Sequence, residues 1–339
     1  MTCPTEREAI CAASRFSLGF ALGPFATYRC RMRVSYHPGY VVELPPGHAF
    51  PMRKFSELHA ILLSQGIVRP HEVVAPHEAG WELLAHAHAR EYLDALRDGT
   101  LSSQQVRRLG LPWSPALVRR SRLATQGTLN AARFALEDGL GGNLAGGTHH
   151  ALWEGGEGYC VINDVGVAVR HLQSTGEAMR VLVVDLDVHH GNANAALFAD
   201  DERVFTFSMH GARNFPLIKP PGSLDVPLDD GTGDDAYLGL LATHLPRAIE
   251  AARADLAFLL AGVDVVAGDR FGRLALTEAG LAARDRMALT MLRGAGLPVA
   301  ITLSGGYAAT PHRTAQLHAS VFREAVRTGE GAMGPSRHR

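Results

Sequence analysis

The sequence predicts an α/β protein, a single domain of three layers with a mostly parallel central sheet and helices on both faces. Three observations carry that expectation. Short, nearly continuous apolar runs at Arg180 to Val188, Arg203 to Met209, Asp255 to Val263 and Pro298 to Leu303 read as strands buried on both faces. Helical apolar spacing separates them over Asp234 to Ala252, Thr277 to Gly294 and His312 to Arg327. A chain of 339 residues, 46% hydrophobic and 20% charged, can also bury one large core.

Upstream, residues 1–31 read as a poorly ordered extension. Within them Ser17 to Thr27 follows Arg15 and has the outline of a weak signal-peptide core, but Glu6 and Glu8 spoil the basic lead-in. The first strand is expected near Met32, in Met-Arg-Val-Ser-Tyr. Met52 to Gln65 and Gly80 to Arg97 then carry helical spacing, with Pro70 and Pro76 breaking the segment between them, and Arg119 to Leu136 is a further long helix. The folded domain is expected to span 32–328, with 329–339 a flexible tail.

Composition excludes several partners. The 33 basic and 34 acidic residues leave a formal charge of -1, which points away from direct nucleic-acid or membrane-surface binding. No apolar run approaches the roughly 20 residues that span a bilayer. Cys3, Cys11, Cys30 and Cys160 show no CxxC or paired spacing, so neither a disulfide scaffold nor a cysteine zinc site is expected, and a cytoplasmic location follows.

Open α/β sheets bind ligands beyond the carboxyl ends of their strands, and four polar clusters occupy that position here: Gly146-Gly-Thr-His-His150, Asp185 to His190, Gly262-Val-Asp264 and Ser304-Gly-Gly-Tyr307. In an extended chain Asp185, Asp187 and His189 would face one way. Asp187, His189 and Asp264 would supply the three protein ligands of a hydrolytic metal site that keeps one position open. Two carboxylates offset much of the ion's charge, so such a site acidifies water less than three histidines would and needs a separate base. His149 or His150 can meet that need. Tyr307, on a Gly-Gly turn, offers a phenol to a developing oxyanion, and Asp185 is expected to accept a hydrogen bond from His149 and hold that ring.

Each residue also has a blander reading. A lone aspartate at a strand end caps a helix more often than it binds metal, and a lone tyrosine is more often a packed aromatic. The conjunction outweighs these. His86 and His88, two apart on an expected helix, read as solvated or structural, and Asp229 to Asp235 reads as a turn into a helix N-terminus. No P-loop, HExxH or nucleophile-elbow pattern is present.

Gly-Gly-Thr-His-His-Ala, Gly-Tyr-Cys-Val-Ile-Asn-Asp, Asp-Leu-Asp-Val-His-His-Gly, Ala-Gly-Val-Asp-Val-Val-Ala-Gly-Asp and Ser-Gly-Gly-Tyr follow one another in the order found in the histone deacetylase superfamily, which the chain resembles from about Met32 to Phe322. The resemblance implies the arginase/deacetylase fold, with Asp187, His189 and Asp264 as zinc ligands (ferrous iron being the other metal such a site takes), His149 and His150 as the catalytic pair, and Tyr307 as the residue that polarises the carbonyl. It matches Gly158 and Tyr159 to a channel wall and Phe215 to the facing aromatic. It also implies a structural monovalent cation, K+, near Asp185 and Ser208.

Gly191-Asn192, Gly268 to Leu274 and the short Met209 to Pro227 connection look most like class IV enzymes and bacterial histone-deacetylase-like amidohydrolases. Asn192 departs from the aspartate that partners the second histidine in several classes, which should lower the His150 pKa. No acidic rim residue like that of class I is found, and Phe271 stands where polyamine-selective relatives carry a glutamate. The expected activity is hydrolysis of the amide of acetyl-lysine or a related acylated amine. The alternatives are a polyamine or long-chain-acyl amidohydrolase, an arginase-like ureohydrolase, or a catalytically silent acyl-amine-binding protein. A ureohydrolase needs a further carboxylate at position 191, which is glycine.

Overall fold

The computed structural model describes residues 32–331. The expectation for 1–31 lies outside the described residues, as do Cys3, Cys11 and Cys30. Eight strands, β1 (Arg33–Ser35), β2 (Val73–Val74), β3 (Leu140–Asn143), β4 (Val181–Asp185), β5 (Val204–Gly211), β6 (Leu224–Leu228), β7 (Leu256–Leu260) and β8 (Val299–Thr302), form one sheet in the order β2-β1-β3-β8-β7-β4-β5-β6. Every pairing is parallel. Ten helices flank it: α1 (Lys54–Ser64), α2 (Trp81–Leu84), α3 (Arg90–Asp98), α4 (Ser103–Leu109), α5 (Pro115–Asp138), α6 (Asp164–Thr175), α7 (Asn192–Leu197), α8 (Asp234–Ala252), α9 (Glu278–Gly294) and α10 (Pro311–Gly331).

The continuous apolar strands are explained by burial on both faces. Along β4, Val181 and Val183 join a core with Leu129 and Ala132 of α5 and Val165 and Leu172 of α6. Leu182 and Val184 point the other way, to Leu58 of α1, Leu245 of α8, Leu289 of α9 and Phe322 of α10. The period of two thus feeds two separate cores, and neither face can accept a polar side chain cheaply. Truncating Phe258, fully buried on β7, to alanine would cost about 3–5 kcal/mol.

Four elements depart from the sequence-based expectation. β3 has the unpromising sequence Leu-Gly-Gly-Asn because α5 lies against it: a Cβ on Gly141 would sit 2.1 Å from the Ala131 carbonyl oxygen. The segment Gly80 to Arg97 is two helices, α2 and α3, instead of one. Between them the buried His88 ring donates from Nδ1 to the Leu152 carbonyl (3.0 Å) and accepts the Asn163 N–H at Nε2 (2.8 Å), contacts a continuous helix would forbid. The connection from Met209 to Pro227 contains the edge strand β6, and α10 runs on to Gly331, past the helix end expected at Arg327. No helix among the described residues is long and apolar enough to cross a membrane.

The four central strands β3, β8, β7 and β4 place their carboxyl ends side by side, and the hydrogen-bond ladder continues into the loops. Leu186 N–H donates to the Leu260 carbonyl (3.0 Å), Ala261 N–H to Thr302 (3.0 Å), Leu303 N–H to Ala145 (3.2 Å) and Val263 N–H to Gly305 (3.0 Å). The loops bearing His149, Asp187, Asp264 and Tyr307 are therefore stitched to one another by backbone.

Candidate active site

The structure brings Asp187, His189 and Asp264 together: their ligand atoms lie within 4.8 Å of one another. They do not converge by strand alternation. β4 ends at Asp185, and beyond it the chain turns, with Asp187 N–H donating to Asp185 Oδ1 (3.1 Å) and His189 N–H to Asp187 Oδ1 (2.9 Å). His189 Nδ1 is 3.0 Å from Asp187 Oδ1 and 3.3 Å from Asp264 Oδ2. A tetrahedral ion with bonds of about 2.0–2.1 Å separates its ligand atoms by about 3.3–3.4 Å, close to both distances.

The surroundings also fit a cation. Asp264 Oδ2 is buried without a hydrogen-bond partner, and a Cβ on Gly305 would come within 1.9 Å of it and 2.6 Å of Asp187 Oδ2, so only glycine leaves this cradle open. Burial and the neighbouring Asp187 charge push the Asp264 carboxyl up to about 6. Burial disfavours the imidazolium of His189, but the two carboxylates outweigh it and carry its pKa up to about 10. A divalent cation would relieve the same carboxylate repulsion that this proton relieves.

The two histidines of the Gly-Gly-Thr-His-His loop are buried and distinct. His149 Nδ1 donates to Asp185 Oδ2 at 2.7 Å, and its Nε2 lies 3.8 Å from Asp187 Oδ1. Burial opposes protonation of this ring, yet the charges of Asp185 and Asp187 raise its pKa to about 9. His150 Nδ1 donates to Asn192 Oδ1 at 2.6 Å, which leaves Nε2 as the basic nitrogen. Burial, then the charges of His149 and His189, holds His150 well below its ordinary value. One ring is thus set as a donor and the other as a neutral acceptor.

Above them opens a cleft of about 600 Å3, with His150, His189 and Tyr307 at one end and Gly158, Tyr159, Phe215 and Phe271 along its sides. The Phe215 ring stands edge-on to His150, with centroids 4.9 Å apart. Tyr159 and Phe271 flank Tyr307 at 6.0 and 4.9 Å. Tyr307 is fixed from below by its N–H, which donates to Asp269 Oδ2 at 2.6 Å, and burial with the nearby Asp264 and Asp187 charges keeps its phenol protonated. Ser208 lies opposite Asp185 in the β4–β5 register, where its hydroxyl pairs with His210 Nδ1 (3.0 Å).

A sequence profile of the histone deacetylase domain matches residues 48–324. The chain belongs to the histone deacetylase family. Relatives of this deacetylase-family chain include an uncharacterized protein of Picosynechococcus sp., 45% identical over 292 residues that cover 86% of this chain and 97% of that protein. Histone deacetylase 2 of Arabidopsis thaliana is 28% identical over 77% of this chain and 70% of its own, and human histone deacetylase 1 is 28% identical over 80% of this chain and 60% of its own. The crystal structure of the HDA15 HD domain superposes with a TM-score of 0.73 over 92% of this chain and 91% of that one, at 23% identity, and shares the fold.

Several residues of this deacetylase domain that hold the site were not singled out from sequence. Asp164, the first residue of α6, accepts the Gly147 N–H (3.0 Å), the Thr148 N–H (2.8 Å) and the Thr128 hydroxyl, and so anchors the histidine loop. Arg284 of α9, fully buried beside Asp285, donates to the carbonyls of Leu186 (3.1 Å) and Gly262 (2.6 Å) behind the acidic ligands. Lys54 is buried too, donating to the Ser304 carbonyl at 3.1 Å, with its pKa lowered to about 8 by burial. In sequence Lys54 and Arg284 resemble solvated helix residues, and Asp164 closes the Gly-Tyr-Cys-Val-Ile-Asn-Asp motif with no sign of what it holds. A second convergent group, His190, His210 and Asp225, lies at the β5–β6 edge, with His190 Nε2 3.2 Å from Asp225 Oδ1.

Proposed function

We propose that this protein is a metal-dependent deacylase that hydrolyses the amide of an acetylated lysine or a related acylated amine. The observation that carries the reading is the meeting of a three-residue cation cradle, which reaches the cleft through His189, with a neutral His150 and the Tyr307 phenol on the same cleft. Asp187, His189 and Asp264 would hold zinc or ferrous iron, and the bound ion would supply Lewis acidity to the amide carbonyl and to water. His150 Nε2 accepts the proton of the attacking water, which its neutral state at physiological pH allows. His149, kept cationic beside Asp185, stabilises the negative charge that develops, and the histidine pair returns a proton to the departing amine. Tyr307 donates its phenolic hydrogen to the developing oxyanion. Tyr159 and Phe215 give the aliphatic stem of the acylated amine two aromatic walls.

The ureohydrolase reading is disfavoured at position 191, where a Cβ would lie 2.4 Å from Asp185 Oδ2 and a carboxylate has no room. The deciding experiment pairs Tyr307→Phe with metal analysis. The variant is expected to retain one metal ion per chain and to lose about a hundred- to a thousandfold in turnover of an acetyl-lysine peptide. Full activity in the variant, or two ions per chain in the parent, would refute the reading. We also propose a cytoplasmic location and a structural K+ between Asp185 and Ser208.

A further inference from the structure

The mouth of the cleft is positively charged although the whole chain carries a formal charge of -1. Arg108, Arg213 and Arg273 line it, and Arg270 lies beside it with its guanidinium 5.5 Å from the Phe271 ring centroid. Counter-charge is scarce. Arg108 is matched by Glu157 (3.0 Å). Arg213 and Arg273 share a single carboxylate oxygen of Asp230, at 3.7 and 3.3 Å, and Arg270 makes no ion pair among the described residues. Asp269 sits close by, but its oxygens are turned inward to the N–H groups of Phe271, Gly272 and Tyr307. In the neighbouring wider groove, which Arg270 also lines, Glu43 pairs with no cation among the described residues and Arg53 reaches Glu57 at 3.8 Å. Three exposed guanidinium groups, of Arg213, Arg270 and Arg273, therefore face solvent around the opening and are ion-paired among the described residues with one carboxylate, that of Asp230.

The geometry points to an acidic peptide segment as the natural substrate: an acylated lysine flanked by aspartate or glutamate, whose carboxylates meet Arg213, Arg270 and Arg273 while the acyl-lysine stem enters between Tyr159 and Phe215. This rests on the deacylase reading for the bond cleaved, but the charge preference stands by itself as a binding property. The same charges repel a lysine-rich peptide tail or a free polyamine, since like charges at a rim slow encounter and weaken binding.

The test uses metal-loaded full-length protein and fluorescent acetyl-lysine hexapeptides with acidic, neutral or basic flanks, read by anisotropy for affinity and by product formation for kcat/KM. Exposed pairs contribute little each, so the acidic peptide should bind about five- to tenfold more tightly than the basic one at low ionic strength. The ratio should fall towards one in about 1 M salt, where the screening length is near 3 Å. The Arg213→Glu, Arg273→Glu double variant should reverse the order, and Arg270→Glu should reduce the preference independently. Equal affinities, or preference for basic flanks in the parent protein, would overturn the proposal while leaving the deacylase reading intact if the peptides are cleaved. Acid-selective binding with no cleavage of any peptide would uphold it and remove the deacylase reading.

Discussion

Asn192 Oδ1 accepts a hydrogen bond from His150 Nδ1 at 2.6 Å, so the partner of the proposed base is a neutral amide. Burial and the adjacent His149 and His189 charges are then unopposed by any anion in direct contact with His150, and its pKa falls well below the ordinary value. Asn192→Asp should reverse part of that, because an anion hydrogen-bonded to an imidazolium raises its pKa by about 1–3 units. A higher pKa means less neutral base at a given low pH. The acid limb of kcat/KM should therefore move up by at least about one pH unit, with activity at pH 6 falling more than activity at pH 8. A pH–rate profile of the variant superimposable on that of the parent would separate His150 from proton transfer.

Metal binding should be strongly pH-dependent. Without the ion, His189 titrates at about 10 and Asp264 at about 6, so at neutral pH His189 must lose a proton for the ion to enter. Apparent affinity should rise about tenfold per pH unit between roughly pH 6 and 10, and more steeply below 6, where Asp264 also gives up a proton. Competition against a chelator of known affinity measures the slope, and proton release in weak buffer counts the protons. Gly305→Ala should abolish binding, since the new Cβ would stand 1.9 Å from Asp264 Oδ2 and displace that carboxylate. A flat affinity between pH 6 and 8 would exclude the cradle as the metal site.

Much of this was legible in the sequence, for a partly different reason than the one the chain provides. The apolar runs mark strands buried on both faces, and polar clusters at their carboxyl ends mark where those strands deliver side chains, which is why Asp187, His189, Asp264 and the His149-His150 pair could be singled out. Alternation in an extended chain does not unite Asp187 with His189. A turn laddered by their own N–H groups does. Illegible were the roles of the residues that act through backbone: Arg284 and Lys54 look like exposed helix positions, Asp164 is legible only as the end of a motif, and only the tertiary fold shows that each satisfies groups behind the site. The two glycines of β3 and the histidine that splits α2 from α3 were hidden for the same reason, since local propensity says nothing of a neighbour's approach.

Acid should weaken the protein through His88. Burial lowers this imidazole to about 4 from an ordinary 6.5, and the neutral ring accepts the Asn163 N–H at Nε2. The unfolded chain binds the proton more readily, so the stability this group contributes is fully present above pH 6.5 and is lost as pH falls from 6.5 to 4. The loss amounts to about 3 kcal/mol over that window. Asn163 caps α6 through Gly166 N–H (2.7 Å), and the next residue, Asp164, anchors the histidine loop, so the active site should loosen with it. Denaturant midpoints at pH 7 and 5 measure the slope, and His88→Gln should flatten it. An unchanged slope in that variant would assign the acid sensitivity elsewhere.

Arg284 ties stability to metal retention. Its guanidinium is fully buried, pairs with Asp285 at 2.6 Å and spends its remaining donors on the carbonyls of Leu186 and Gly262, each two residues or fewer from a proposed ligand. Arg284→Met fills similar volume but strands the Asp285 carboxylate and two carbonyls, and breaking a buried pair in this way costs about 3–5 kcal/mol. Replacing both partners, as Arg284→Met with Asp285→Leu, removes the stranded charge and should recover the part of the stability lost to it, the two carbonyls remaining unpaired. It cannot restore the hold on Leu186 and Gly262. The double variant is therefore expected to melt well above Arg284→Met, though below the parent, while its metal affinity stays as weak as that of the single variant, a split that a purely structural role for Arg284 would not produce. Recovery of both properties together would show that Arg284 supports the core alone.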